Sequence, residues 1–590
     1  MSRKGDICML KKTKIVCTLG PSSNTPEIIE KMIKAGMNVA RFNFSHGSHE
    51  EHKQRIDMVR AASKKLGIPV ALLLDTKGPE IRLGKFKNGS IMMEAGNEFT
   101  LTARDVEGDE TIASMNYKEL PQDVKAGDHI LLSDGLVNLE VVSVEGEDIH
   151  TKILNSGKMS DRKRVAVPGI AINLPAVSET DAADIEFGCR MNMDLIAASF
   201  IQRGKDVLTI RKLLEKHNSE MKIISKIECQ AAVNNIDEII KMSDGIMVAR
   251  GDLGVEVPAE EVPMLQKVLI RKCHEAGEPV ITATQMLESM CNNPRPTRAE
   301  TSDVANAIID GTDAIMLSGE TAGGLYPVEA VETMARVATF TESNFTSRPF
   351  EDDDSESATT TESIGKAVVK IAKDLHAAAI IASTERGGTA QMISKFRPDC
   401  PIVAVSPHEA IVRRLQLNWG VQAINGKEAV DSDAVVDNAI FAALDNDLIK
   451  AGDLVVLTAG VPVAKAGSTN MIRVQVVGDV LLRGTGIGRK AAVGKVCVAE
   501  SLEDLKKNFT DGCILVLRAA RADFVEYMKR ASAIVSEEAG LTSESAIVAI
   551  TLGIPTVVGA EHAADTLNNG EVVTVDASRG TIFRGAANAR

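Results

Sequence analysis

Residues 222–254, KIISKIECQAAVNNIDEIIKMSDGIMVARGDLG, read as strand, helix, strand. Lys222 to Glu228 is short, rich in β-branched residues and ends in charge. Val233, Ile236, Ile239 and Ile240 repeat at helical spacing, and Gly245 to Ala249 is a second buried-strand run. That second strand ends in Arg250-Gly251-Asp252. In a parallel α/β unit the carboxyl ends of successive strands share one rim. Lys226 and Glu228, two apart on an extended strand, face the same way, and Asp252 joins them from the next strand. Two carboxylates and an ammonium suit a hard divalent ion: Mg2+ takes one or two carboxylates and leaves the rest of its shell to water and substrate oxygens. A lysine beside it can stabilise a transferring phosphoryl group or an enolate. A strand-end salt bridge would account for Lys226 and Glu228 alone, but not for Asp252.

The same alternation extends in both directions. Upstream, Lys14 to Gly20 is a strand and Pro26 to Ala35 a helix. Val39 to Ser45 is a strand with Arg41, Asn43 and Ser45 on one face, and Pro69 to Thr76 is another. Ser48 and Glu51 form a capping box that opens a helix running to Leu66. His46, His49 and His52 at that helix start are expected on a solvated face, with His46 alone kept as a candidate ligand contact. Downstream, Leu195 to Phe200, Pro279 to Gln285 and Ala314 to Glu320 complete eight strands separated by helical runs, the pattern of a TIM barrel. Polar residues collect at the expected rim: Ser45, Asp75, Ser199, Lys226, Glu228, Asp252, Thr284, Ser318 and Glu320.

Gly84 to Val167 breaks this pattern with short alternating strands and Gly, Asp and Asn turns, and so predicts an inserted β-domain placed to close over a substrate. Glu351 to Thr361 reads as a polar linker. Beyond it come αβ units whose loop Ser383 to Thr389 opens a helix, a generic anion cradle weakened by Glu385. A fourth segment follows Gly484 and contains Gly540-Leu541-Thr542-Ser543-Glu544.

Composition narrows the class of protein. A chain of 590 residues, 44% hydrophobic and 25% charged, is an ordinary globular protein of several domains. A net charge of -14 without a basic patch, and only 3% aromatics, argue against nucleic-acid binding. No apolar run is long enough to span a membrane, and residues 1–14 lack an apolar signal core, so a cytoplasmic protein is expected. Nine scattered cysteines with no C-x-x-C pair fit reduced thiols.

Taken together, several motifs resemble the pyruvate kinase family in its bacterial form with an extra C-terminal domain. They are Ala40 to Gly47 (ARFNFSHG), Leu74 to Arg82 (LDTKGPEIR), Ser225 to Glu228 (SKIE), Met247 to Gly254 (MVARGDLG), Thr282 to Met290 (TATQMLESM) and Met316 to Thr321 (MLSGET). The resemblance implies a TIM (β/α)8 barrel from residues 1–77 and 169–345 and an inserted β-barrel cap at 78–168. An α/β regulatory domain at 346–480 and an extra domain at 484–590, similar to the phosphoenolpyruvate-utilising mobile domain, would complete the chain. It also implies phosphoryl transfer from phosphoenolpyruvate to ADP with Mg2+ and K+, a phosphorylated allosteric effector and a homotetramer. By the same resemblance, Glu228 and Asp252 hold Mg2+, while Lys226 and Arg41 stabilise the transferring group. Gly251, Asp252 and Thr284 take the substrate carboxylate, and Thr284 also passes a proton to the enolate. Asn43, Ser45, Asp75 and Thr76 ligate K+, and Asn43, Phe44, Ser45, His46 and Lys163 line the nucleotide. Glu80 implies K+ dependence, because a lysine there substitutes for the cation in the family.

Three positions depart from the family pattern. Ile68 stands where a basic residue often touches the nucleotide, and Glu385-Arg386 adds a negative charge to the effector loop. Glu544 replaces the histidine of the mobile domain, and a glutamate cannot serve as that phosphocarrier. The residues also admit other readings: a Mg2+-dependent barrel acting on an enolate, such as a pyruvate-type aldolase, or a catalytically dead metabolite sensor. The sensor would have no need of Lys226. A phosphoenolpyruvate synthase-type phosphotransferase is opposed by Glu544.

Overall fold

The computed structural model describes residues 11–170, 172, 174–345, 359–428, 432–460, 469–478, 480–578 and 580–585. Most of the expected polar linker lies outside the described residues. The chain divides into two compact units, one of residues up to 351 with Glu409–Ala423, the other of the remainder.

The first unit contains a closed parallel barrel whose neighbours follow chain order. Its strands are β1 (Lys14–Thr18), β2 (Val39–Asn43), β3 (Ala71–Asp75), β4 (Leu195–Ala198), β5 (Lys222–Ile227), β6 (Ile246–Ala249), β7 (Val280–Ala283) and β8 (Ala314–Leu317). Almost every strand residue is buried, as strands covered by helices outside and filled by side chains inside must be. The inward layers are built from Val16, Leu73, Ala197, Ile224, Met247, Ile281 and Met316 among others. The helices between strands begin where the sequence supplies caps. Thr25 accepts the Ile28 N–H ahead of Pro26, and Ser48 with Glu51 forms the expected capping box for His49–Leu66. Between β5 and β6 the single expected helix is two, Gln230–Asn234 and Ile236–Met242, broken at Asn235.

The cap leaves the barrel after β3. Seven short strands from Ile81 to Ala166 form one sheet over a core that includes Phe86, Phe99, Leu101 and Ile130. A bridge between Leu83 and Met115 joins its two end strands, so the sheet closes on itself. Closure leaves no long open edge.

The far end of the barrel is filled by a segment distant in sequence. Leu417 packs among the inward barrel residues, Arg413 Nε donates to Asp194 Oδ1 at 2.9 Å, and Gly420 N donates to the Lys12 carbonyl at 2.9 Å. Lys14, 1% exposed, donates its ammonium to the Val421 carbonyl at 2.5 Å. Burial, with nearby Lys11, lowers its pKa to about 7 against the opposing pull of Glu342.

In the second unit, parallel strands Ile402–Ser406, Ala379–Ser383 and Leu454–Gly460 are joined by antiparallel Thr469–Val476. The C-terminal segment builds an eight-stranded mixed sheet around parallel Ala491–Ala499, Ile514–Leu517, Ala533–Ser536 and Thr556–Val558. Glu544 is the first residue of helix Glu544–Leu552, capped by Ser543, and is exposed.

Candidate active site

Strands β1 to β5 bring one charged network to the carboxyl rim. Asp75, at the end of β3, is 1% exposed. Its carboxylate accepts Arg41 Nε at 2.5 Å from β2 and Lys226 Nζ at 3.3 Å from β5. Arg41 Nη1 also donates to Thr18 Oγ1 at 2.7 Å on β1. Lys226 Nζ reaches Ser199 Oγ and Glu228 Oε1, each at 2.8 Å, and Ser199 donates onward to the Thr76 carbonyl at 2.6 Å. Glu228, also 1% exposed, accepts the Phe200 N–H at 2.6 Å.

The electrostatics follow from this burial. Desolvation alone would lower the Lys226 ammonium, but Asp75 and Glu228 outweigh it and hold the group above its ordinary value. Desolvation would raise Asp75, yet Arg41 and Lys226 bring it below its ordinary value. Glu228 is pushed up by burial first, with the Asp252 carboxylate adding to it, while Lys226 and the Phe200 N–H pull the other way. These two carboxylates therefore feel each other, and a cation between them would relieve the repulsion. Among the described residues no group of three or more His, Cys, Asp or Glu side chains could hold a metal ion. A two-carboxylate site completed by water and substrate is the arrangement Mg2+ accepts.

Asp252 is not on a strand. β6 stops at Ala249, and Arg250–Glu256 turns into a short helix that carries Asp252 in its first turn. There Asp252 Oδ1 is paired with Arg164 Nη1 from the cap. Arg250 forks onto Asp303, with both bonds at 2.7 Å, and donates to the Thr284 carbonyl at 2.7 Å. Thr284 has φ +68° and Gln285 φ +54°. Left-handed backbone at a β-branched residue costs about 1–3 kcal/mol and persists only where its surroundings impose it. Arg250 supplies one constraint, and the Gly251 N–H, bonded to Thr284 Oγ1 at 2.8 Å, supplies another. That amide, expected to receive a substrate carboxylate, is thus already paired with Thr284.

Gly78, at the exit toward the cap, has φ +74°, and a Cβ there would lie 2.7 Å from Ser199 Cβ. Only glycine fits that turn. Glu80, two residues on, accepts Arg82 Nε at 2.8 Å.

Of the expected nucleotide and K+ residues, Asp75 and Thr76 belong to this network, and the others lie outside it. Asn43 Oδ1 accepts the Ser45 N–H at 3.1 Å; Ser45, His46 and Lys163 are exposed; and Thr76 Oγ1 accepts the Ser199 N–H at 3.1 Å. Phe44 is 7% exposed and stacked on His52 with ring centres 4.2 Å apart, so its ring offers no face to a nucleotide. The solvated histidine face is corrected as well. His52 is 2% exposed, and its Nε2 lies 2.9 Å from the His46 carbonyl; His49 stacks on Phe187 at 4.4 Å and meets Asp184 at 2.6 Å. A partner such as Asp184, 135 residues from His49 in sequence, leaves no mark on the local pattern. Nothing near Arg164 or Arg250 in sequence signals a role for either, although Arg164 meets Asp252 and Arg250 meets the Thr284 carbonyl.

Family models agree with this architecture. Residues 10–331 match the pyruvate kinase barrel domain and 362–475 the pyruvate kinase alpha/beta domain. The chain belongs to the pyruvate kinase family. Residues 509–580 also match the mobile domain of PEP-utilising enzymes. A pyruvate kinase of Geobacillus stearothermophilus is 51% identical over 584 residues, 98% of this chain and all of that one. Another, of Staphylococcus aureus strain MRSA252, is 49% identical over 583 residues, again 98% of this chain and all of the relative. The extra C-terminal segment is therefore shared by these pyruvate kinases. A crystal structure of a pyruvate kinase from Cryptosporidium parvum matches with a TM-score of 0.75 at 39% identity. It covers 79% of this chain and 96% of that one.

Proposed function

We propose that this enzyme moves the phosphoryl group of phosphoenolpyruvate to ADP, giving pyruvate and ATP as in the last step of glycolysis, with Mg2+ and K+. The observation that carries the reading is Lys226, a buried ammonium kept charged by Asp75 and Glu228 at the centre of the barrel rim. Phosphoryl transfer asks a protein mainly for positioning and charge neutralisation. Glu228 and Asp252 would hold the divalent ion, which when bound neutralises charge on phosphoryl and enolate oxygens. Lys226 and Arg41 present their charges to the phosphoryl oxygens as the bond from phosphorus to the enol oxygen breaks and a bond to a β-phosphate oxygen of ADP forms. Because both are fixed by Asp75, they need little reorganisation during the reaction. Thr284, whose hydroxyl accepts the Gly251 N–H at 2.8 Å, would bind the substrate carboxylate and relay a proton through water to the enolate carbon.

Asn43, Ser45, Asp75 and Thr76 supply the oxygens of the K+ site. Asn43, Ser45, His46 and Lys163 would line the nucleotide, with Phe44 contributing backbone only. Family membership extends the proposal to a homotetramer in the cytoplasm with a phosphorylated effector. In the effector loop Glu385 faces His408 at 3.1 Å. The C-terminal domain acts without a phosphohistidine, since Glu544 occupies that position.

The test is pyruvate formation from phosphoenolpyruvate and ADP with Mg2+, in matched K+ and Na+ buffers. Strong activity in K+ alone is expected. Equal activity in both would remove the K+ assignment. No activity in either, with nucleotide still bound, would favour a metabolite sensor, and failure to bind nucleotide at all would favour an enolate-forming aldolase.

A further inference from the structure

Arg164 is a cap residue whose side chain is only 9% exposed because it reaches down to the barrel rim. Cap strand Arg164–Ala166 pairs with Ile81–Arg82 on one side and His129–Leu132 on the other, which fixes its direction. Its Nη1 donates to Asp252 Oδ1, its Nη2 lies 3.9 Å from Glu256 Oε1, and its guanidinium sits 4.8 Å above the Phe200 ring. Phe200 holds that position with φ +55°. The planar guanidinium suits both the carboxylate and the aromatic face.

A charge count shows what this contact does. Arg41 and Lys226 face Asp75, Glu228 and Asp252, two positive charges against three negative. Arg164 brings a third positive charge, which Asp252 shares with Glu256. It therefore satisfies the carboxylate that the proposed function gives to the divalent ion. Beside it lies a cavity of about 150 Å³ lined by Glu80, Glu256, Ile172, Gln230 and Phe200, with Arg164 in its wall. That volume accommodates a guanidinium, and Glu256, already 3.9 Å from Nη2, gives the displaced charge a second partner.

We infer that Arg164 is a positioning residue that competes with the divalent ion for Asp252. In the metal-free protein it ties the cap to Asp252. Metal binding releases it toward Glu256 and the cavity, so the cap registers whether the metal has arrived. The inference rests on the assignment of Asp252 as a metal ligand.

The experiment titrates the full-length protein with Mn2+ in the absence of substrates and follows free Mn2+ by electron paramagnetic resonance. Arg164→Gln is expected to bind Mn2+ about fivefold more tightly, the equivalent of one ion pair of about 1 kcal/mol removed as a competitor. Lys163→Ala removes a neighbouring cap cation that does not touch Asp252, and should change affinity less than about twofold. Equal affinity in wild type and Arg164→Gln, or equal gains in Arg164→Gln and Lys163→Ala, would overturn the inference. Should Arg164→Gln fail to fold, Arg164→Lys serves instead, with a smaller gain expected and no gain overturning it. Asp252→Asn separates the two layers. Its loss of Mn2+ binding upholds the metal assignment whatever Arg164 does, and its retention of wild-type affinity would sink both.

Discussion

Replacing Lys226 by methionine tests the centre of the mechanism, because the side-chain volume is nearly kept and only the ammonium is lost. Two carboxylates, each 1% exposed, lose a cation at 2.8 Å and 3.3 Å. Their fates differ. Asp75 retains the 2.5 Å bond from Arg41 and stays ionised. Glu228 retains only the Phe200 N–H, beside the Asp252 charge, and its carboxyl is already raised by burial. Leaving a buried charge without its partner costs about 3–5 kcal/mol, so Glu228 is expected to take up a proton instead. For turnover, the loss of one preorganised charge aimed at the transferring group is worth about 3–4 kcal/mol, or roughly a 10²- to 10³-fold fall in kcat. The assay is kcat at saturating metal and substrates, paired with Mn2+ binding across pH. The variant should still bind Mn2+, and its affinity should climb more steeply with pH than the wild type's, because base removes the new proton from Glu228. A kcat within a few-fold of wild type would refute the role of Lys226. A parallel pH dependence of Mn2+ binding would refute the account of Glu228.

Three other outcomes are expected. Glu80→Lys, which breaks the 2.8 Å bond from Arg82 and brings an ammonium to the rim, should retain activity in Na+ buffer where the wild type requires K+; the ratio of kcat in the two salts decides it. Lys14 titrates at about 7 in the folded protein, below the ordinary lysine value. From about pH 7 to 10 the unfolded chain therefore holds a proton the folded chain lacks, and stability gains about 1 kcal/mol per pH unit from this residue. Denaturation of Lys14→Met across that range should lack this gain, and a wild-type slope in the variant would refute it. Leu417→Ala leaves a cavity at the base of the barrel and should cost about 2–5 kcal/mol in chemical denaturation of the barrel, whereas an unchanged midpoint would show that the segment is not part of that core.

The barrel was legible because its signal is local and repeated. Each strand is a short apolar run ending in a polar residue, and each helix opens on a cap such as Ser48 with Glu51. Lys226, Glu228, Arg41 and Asp75 could be brought together for the same reason, since one rim collects the ends of all eight strands. What stayed hidden depends on distance in sequence. Arg164 meets Asp252 across 88 positions, and nothing near either residue signals the other. His52 looked solvated beside its acidic neighbours, yet a turn of chain after β2 lays Phe44 against it. Asp252 seemed to end a strand because apolar residues run up to Ala249, but the chain there turns at once into a helix.

The segment Glu409–Ala423 has a consequence for how the protein is made. The last barrel helix ends at Asn344, but Leu417, Arg413 and the Val421 carbonyl that complete the base come from far downstream. A ribosome adding about 5–20 residues per second needs roughly 4–16 s to cover that interval. During it, the nascent barrel exposes an apolar opening and leaves Lys14 and Asp194 without those partners. The inner core of the barrel is thus finished only after much of the following domain has been translated, which makes this interval the stage at which a chaperone would matter most.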